Sequence, residues 1–147
     1  MSLEKIKKLR EETGLGIIEC KKAFEEAGYD EKKAREILKK RSLESAVKRE
    51  HRETKSGIIE AYSHQGKIGV LVELLCETDF VAKNAEFRNL AHNLALQIAS
   101  MAPQDEKELL EQPYIKDESQ TVSQLIQSVI AKTGENIKLR RFIRYEI

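Results

Sequence analysis

Two cysteines and three histidines are the side chains best equipped for nucleophilic, acid–base or metal chemistry, and their spacing assembles none of it. Cys20 falls on an apolar helical face with Phe24, and Cys76 on the apolar face of a strand pattern. Neither has a CxxC neighbour or an adjoining histidine. A thiolate or metal site would need a contact made only by folding, and a small buried hydrophobe is the favoured reading. His51 stands in a charged stretch, His64 in a turn and His92 on the flank of an amphipathic helix. No HxxxH or HxxE pair offers zinc spacing, so no metal, cofactor or catalytic residue is expected. Gly14 and Gly16 precede a helix whose amides suit an anion. No strand leads into them and no GxxxxGK[ST] pattern exists, which favours a tight turn between packed helices.

Two basic stretches, Lys39-Lys40-Arg41 and Lys48-Arg49 with Arg52, have the charge to meet RNA. Glu44, Glu50 and Glu53 interleave with them, and no aromatic lies near enough to stack a base. A solvated helical face is favoured. Arg140 and Arg144 share one face of a terminal strand with Phe142 by simple alternation, where surface charge suffices to explain them. The anomaly is Thr78-Asp79-Phe80-Val81-Ala82-Lys83-Asn84, a connection between a strand and a helix. Phe80 fits the apolar period of neither element. A large aromatic there either tucks back as a plug or stands out for a partner, and the residues alone leave both open.

The bulk composition narrows the classes. The 147 residues carry 26 Lys+Arg against 25 Asp+Glu, for a net charge of +1. A dedicated nucleic-acid binder needs a basic excess to neutralise phosphates, and that excess is missing. Charged residues at 35% and apolar residues at 40%, without tryptophan, describe a helix-friendly chain with a modest core. No apolar run reaches membrane-span length, and Met1-Ser2-Leu3-Glu4-Lys5 has no signal-peptide character. Two cysteines far apart suit a reducing cytoplasm, so a cytoplasmic protein with no membrane or direct nucleic-acid partner is expected.

The elements that must position these residues are legible from periodicity. Residues 2–41 read as three short helices. Their apolar sets are Leu3, Ile6 and Leu9, then Ile17, Cys20, Phe24 and Ala27, then Ala34, Ile37 and Leu38. Thr13-Gly14-Leu15-Gly16 separates the first two, Gly28 ends the second and Asp30 caps the third. Residues 42–56 have one apolar turn (Leu43, Ala46, Val47) and then mixed charge, which reads as a linker or a solvated helix extension. A domain boundary is placed there, between a module at 1–41 and a core at 57–147.

The core is expected to be α+β. Residues 57–63 and 67–77 alternate as strands around a turn at His64-Gln65-Gly66. In the second strand Ile68, Val70, Val72, Leu74 and Cys76 face one way. Asn84 caps a helix striped by Phe87, Leu90, Ala91, Leu94, Ala95, Ile98 and Met101, which Pro103 stops. Val122, Leu125, Ile126, Val129 and Ile130 make a second helix ending at Gly134. Residues 136–147 close as a strand with Ile137, Leu139, Arg141, Ile143, Tyr145 and Ile147 on one side. Strand-strand-helix-helix-strand predicts a small antiparallel sheet with helices packed on one face.

Three motifs carry a family resemblance. Cys76-Glu77-Thr78-Asp79-Phe80-Val81-Ala82 resembles a signature of the elongation factor Ts family. The stretch from Leu9 through Thr13-Gly14 to Cys20-Lys21-Lys22-Ala23 resembles its other signature. The family commonly has Ala and two Met where this chain has Leu15, Ile17 and Ile18. Gly134-Glu135-Asn136-Ile137 with Arg140-Arg141-Phe142 is similar to its closing segment. The resemblance spans essentially the whole chain.

That resemblance implies a ubiquitin-associated-like (UBA-like) helical module followed by the α+β core. It also implies a guanine-nucleotide exchange factor for elongation factor Tu, catalysing no bond chemistry. Thr78, Asp79, Phe80 and Val81 would contact the partner's G domain, with Phe80 entering an apolar pocket and displacing elements near the bound magnesium ion. Leu15, Ile17 and Ile18 would be apolar contacts of the N-terminal module. Longer family members carry a second core half, so a homodimer is expected, with two chains supplying both halves. An adaptor for a ubiquitin-like protein leaves the 78–81 motif without a role. An RNA-associated protein fits poorly with balanced charge, and an enzyme using Cys20 or Cys76 has no base within sequence reach.

Overall fold

The computed structural model describes residues 3–147. Residues 1 and 2, which open the expected helical module, lie outside the described residues. Helices α1 (Leu3–Thr13), α2 (Ile17–Glu26) and α3 (Glu31–Arg49) come first. Ile6, Leu9, Leu15, Cys20, Ala23, Phe24, Ala27, Ala34 and Leu38 form their common core. The punctuation acts locally. The Asp30 carboxylate accepts from the Lys32 and Lys33 amides at the start of α3, and Gly28 sits past the end of α2 with φ +63°.

The α+β part contains β1 (Ser56–His64), β2 (Ile68–Cys76), α4 (Asp79–Ala82), α5 (Ala85–Met101) and α6 (Glu106–Glu111). It continues through β3 (Pro113–Tyr114), β4 (Asp117–Thr121), α7 (Val122–Thr133) and β5 (Lys138–Glu146). β2 is the centre of a three-stranded antiparallel sheet in the order β1-β2-β5. Its alternation is as expected, with Val70, Val72, Leu74 and Cys76 buried under the helices. Phe87, Leu90, Leu94 and Ile98 of α5 pack against them, as do Val122, Val129 and Ile130 of α7. Asn84 caps α5 through its side chain, Thr121 and Gln124 form a capping box on α7, and Gly134 ends α7. The fold is therefore a three-helix module followed by a small antiparallel sheet with helices on one face.

The structure departs from the simple periodic reading in several places. α3 runs on through residues 42–49, which is the helix-extension alternative, with residues 50–55 as the connection; what differs is that this stretch is packed on one side. Its inner side there carries Ser42 and Ala46, while Leu43 and Val47 point outward, because α7 packs along it. In α5, Met101 is half-exposed and Gln97 takes the interior. The Gln97 amide donates to Gln112 Oε1 and the Pro113 carbonyl, both at 3.1 Å, and accepts from the Ile115 amide at 2.9 Å. Its buried polar atoms are thereby satisfied, and α5 is tied to the β3–β4 hairpin, which has no clear alternation of its own.

The terminal strand changes face midway. Leu74 pairs with Leu139 but Glu73 with Arg141, so Arg140 is an extra, bulged residue. Ile137 and Leu139 point into the core. Beyond the bulge Phe142 and Arg144 take the helix side, while Arg141, Ile143 and Tyr145 turn outward. Arg140 therefore does not share a face with Phe142. Together with Arg141 it reaches Glu73, at 3.0 and 3.3 Å.

Two glycines are demanded by close approach. A Cβ on Gly14, where φ is +73°, would lie 2.0 Å from Cγ of Lys132 on α7. One on Gly57 would lie 2.3 Å from the Leu74 carbonyl oxygen. Only glycine lets α7 press on the α1–α2 turn and β1 cross β2 at its start.

Candidate functional site

Asp79, Phe80 and Val81 do not lie in a loop. Thr78 caps a four-residue helical turn, α4, with its hydroxyl accepting from the Val81 amide at 3.4 Å. Two of the turn's residues, Val81 and Ala82, are buried in the core. Asp79 faces β1 and accepts a hydrogen bond from the Ser56 hydroxyl at 3.0 Å. Phe80 is left on the opposite side, 90% exposed. Of the chain's other phenylalanines, Phe24 and Phe87 are buried and Phe142 is half-buried. The choice between plug and protrusion is thus decided: Phe80 stands out.

An isolated helical turn of this length is not stable, because nucleation fixes several dihedral angles for a single hydrogen bond. Burial of Val81 and Ala82 supplies part of the hold. The corner after α7 supplies more, since Glu135 Oε1 accepts from the amides of Glu77 and Thr78, each at 3.0 Å. The Thr78 hydroxyl donates to Glu135 Oε2 at 2.7 Å. Sequence reasoning assigned Glu135 no role beyond membership of a family-like closing segment, and its separation of 57 residues from Thr78 hides the contact.

The second predicted set is divided. Ile17 and Ile18 open α2 with 47% and 68% of their surface exposed. Leu15 is only 8% exposed and belongs to the helical core, so it fixes the turn and offers little surface. No side chain caps α2, whose N-cap is Gly16.

The other candidate groups are structural. Cys20 is buried, with its thiol directed at the Leu15 carbonyl and its pKa raised chiefly by desolvation. Cys76 donates to the Thr78 carbonyl at 3.2 Å. Burial, reinforced by the Glu135 charge, pushes its pKa up to about 11, which removes nucleophilic thiolate at neutral pH. Among the described residues no group of three His, Cys, Asp or Glu side chains is arranged to hold a metal ion. Nor is any described helix long and apolar enough to cross a membrane. Of the basic residues, Arg41 pairs with Glu26 and Arg52 with Glu77. A cleft of about 700 Å³ lies where α1 and α3 meet β4 and α7. Arg35, Lys39, Glu12 and Asp117 line it with both signs of charge, and none of the predicted contact residues does.

The candidate site is therefore a display of apolar side chains, Phe80 on a hydrogen-bonded turn and Ile17 and Ile18 on a packed helix. Comparison with known proteins gives it a context. A family model for elongation factor Ts matches residues 77–147. Elongation factor Ts of Thermotoga petrophila is 46% identical over 191 aligned positions, covering all of this chain and 96% of the relative. That of Coprothermobacter proteolyticus is 41% identical and 98% covered. That of Rubrobacter xylanophilus is 41% identical and 98% covered. An alignment of 191 positions against 147 residues means that the Thermotoga relative has about forty residues with no counterpart here. With such identity over nearly the full length of the relatives, the chain belongs to the elongation factor Ts family, the translation elongation factors of that name.

Proposed function

We propose that the chain is a guanine-nucleotide exchange factor that binds the G domain of elongation factor Tu and speeds GDP release. It does so by displacing elements around the partner's bound magnesium ion, and it makes or breaks no covalent bond. The observation that carries this reading is Phe80, a phenyl ring left in water on a turn whose other residues are fixed. An aromatic anchor held in place before binding loses little conformational freedom on docking. It can also favour one state of a partner over another. A factor that binds nucleotide-free partner more tightly than GDP-bound partner must weaken GDP binding by the same ratio. A ring that fits a pocket open only in the displaced state supplies that bias. Asp79 adds polar contact, Thr78 and Val81 hold the ring's support, and Ile17 and Ile18 dock the helical module on the same G domain. Leu15 shapes that second contact from beneath.

The active species is a homodimer joined through the sheet-bearing core, in the cytoplasm. The sheet's helix-free face supports this, because Ile59, Leu71, Ile143 and Tyr145 stand exposed on it. Wild-type chain added to GDP-loaded elongation factor Tu is expected to accelerate nucleotide release at catalytic concentrations. Release at the spontaneous rate overturns the reading. Sedimentation is expected to give a dimer at tens of micromolar, roughly where a standard interface persists, and a monomer there removes the assembly claim.

A further inference from the structure

We propose that Glu135 is a positioning residue for Phe80, and that the Glu135-Asn136 corner joins the Phe80 turn to the segment leaving the helical module; this rests on the exchange reading above. The corner and the end of β2 hold each other reciprocally. Glu135 accepts from the Glu77 and Thr78 amides and from the Thr78 hydroxyl. In return, the Glu77 carboxylate accepts from the Asn136 amide at 2.6 Å. Each segment thus supplies a carboxylate to the other's backbone N–H groups. Bonds to an ionised acceptor are about twice as strong as neutral ones.

The same corner grips the connection after α3. Asn136 is buried, and its side-chain amide donates to the Arg52 carbonyl at 2.9 Å and the Glu50 carbonyl at 3.4 Å. Arg52 closes the loop, lying 3.6 Å from the Glu77 carboxylate and donating to the Gly134 carbonyl at 3.3 Å. Glu77 therefore stands between the connection and Thr78. Phe80 follows Thr78 by two residues within a single helical turn, so the direction of its ring depends on where Thr78 is held. Val81 and Ala82 anchor the turn's far end. Without Glu135 its near end has lost the charged acceptor for two amides and a hydroxyl.

The test uses full-length chain with Glu135→Ala and the milder Glu135→Gln, whose amide oxygen still accepts from both N–H groups. In the free protein, amide hydrogen exchange at Glu77 and Thr78 is expected to quicken about tenfold in Glu135→Ala. Glu135→Gln should fall between it and wild type, with core amides such as Leu94 unchanged in both. With GDP-loaded elongation factor Tu, the maximal stimulated release should fall about tenfold in Glu135→Ala. The half-saturating concentration should move less, since Ile17 and Ile18 are intact. If Glu135→Ala does not fold, the intermediate values of Glu135→Gln decide. Wild-type exchange at both amides, or undiminished maximal release by a folded variant, overturns the assignment. If wild-type chain itself releases no GDP, the exchange reading fails, and hydrogen exchange alone judges the positioning claim.

Discussion

The two apolar displays of this chain are built differently. Ile17 and Ile18 ride the first turn of a ten-residue helix that has no side-chain cap. Packing holds them: Leu15 and Cys20 anchor the turn and the helix, and Gly14 lies against Lys132. Phe80 rides a four-residue turn that could not persist by itself. It is fixed at one end by buried Val81 and Ala82 and at the other by hydrogen bonds from a distant corner. A docking patch tolerates small adjustments of angle, since two branched side chains on a helix make contact over a range of poses. A ring proposed to displace elements of a partner gains from a fixed direction, because slack in its support is taken up before the partner yields. The mounting tied by hydrogen bonds from a distant corner sits under Phe80, the residue proposed to displace.

The comparison breaks first at Phe80. Phe80→Ala is expected to slow stimulated GDP release by about thirtyfold, the equivalent of about 2 kcal/mol for a buried aromatic anchor. Unfolding stability should stay within about 0.5 kcal/mol of wild type, because the ring is exposed in the free chain. Near-normal stimulation would end its assignment as the wedge.

Ile17→Ser with Ile18→Ser probes the other display. Affinity for elongation factor Tu should fall roughly tenfold, about 1–2 kcal/mol for moderate interface contacts. The maximal release rate at saturation should change far less, and a titration of release rate against factor concentration separates the two. A loss confined to the maximal rate would mean that the displays share one role.

Gly14→Ala acts on the support beneath that patch. The left-handed backbone and the Lys132 contact predict a loss of more than about 1 kcal/mol in unfolding free energy, read by chemical denaturation. At temperatures where the variant is folded, maximal stimulated release should match wild type. The smallest effect is expected from Asp79→Ala. It removes one exposed hydrogen bond to Ser56, worth about 1 kcal/mol, and should slow stimulated release only a fewfold. A loss as large as that of Phe80→Ala would shift the displacing role to the carboxylate.

Residues close in the chain determined what periodicity and capping could encode. Asp30, Asn84 and Gly134 mark helix ends because each acts on amides or carbonyls within a few residues. The alternation of residues 68–76 assigned every side chain of the central strand to its face. The motif at 78–81 and the opening of α2 were recognisable as residue strings, which sufficed to nominate the candidate site. Tertiary structure decided the rest, and the reason is distance along the chain. The turn that carries Phe80 is bonded to Glu135, 57 residues from Thr78, and the burial of Leu15 needs three helices to meet. The change of face in β5 depends on a bulge at Arg140 opposite Glu73, and the inward facing of Ser42 and Ala46 in α3 on α7 lying beside it. None of these has a local pattern, because each is a free-energy balance struck between segments that meet only after folding.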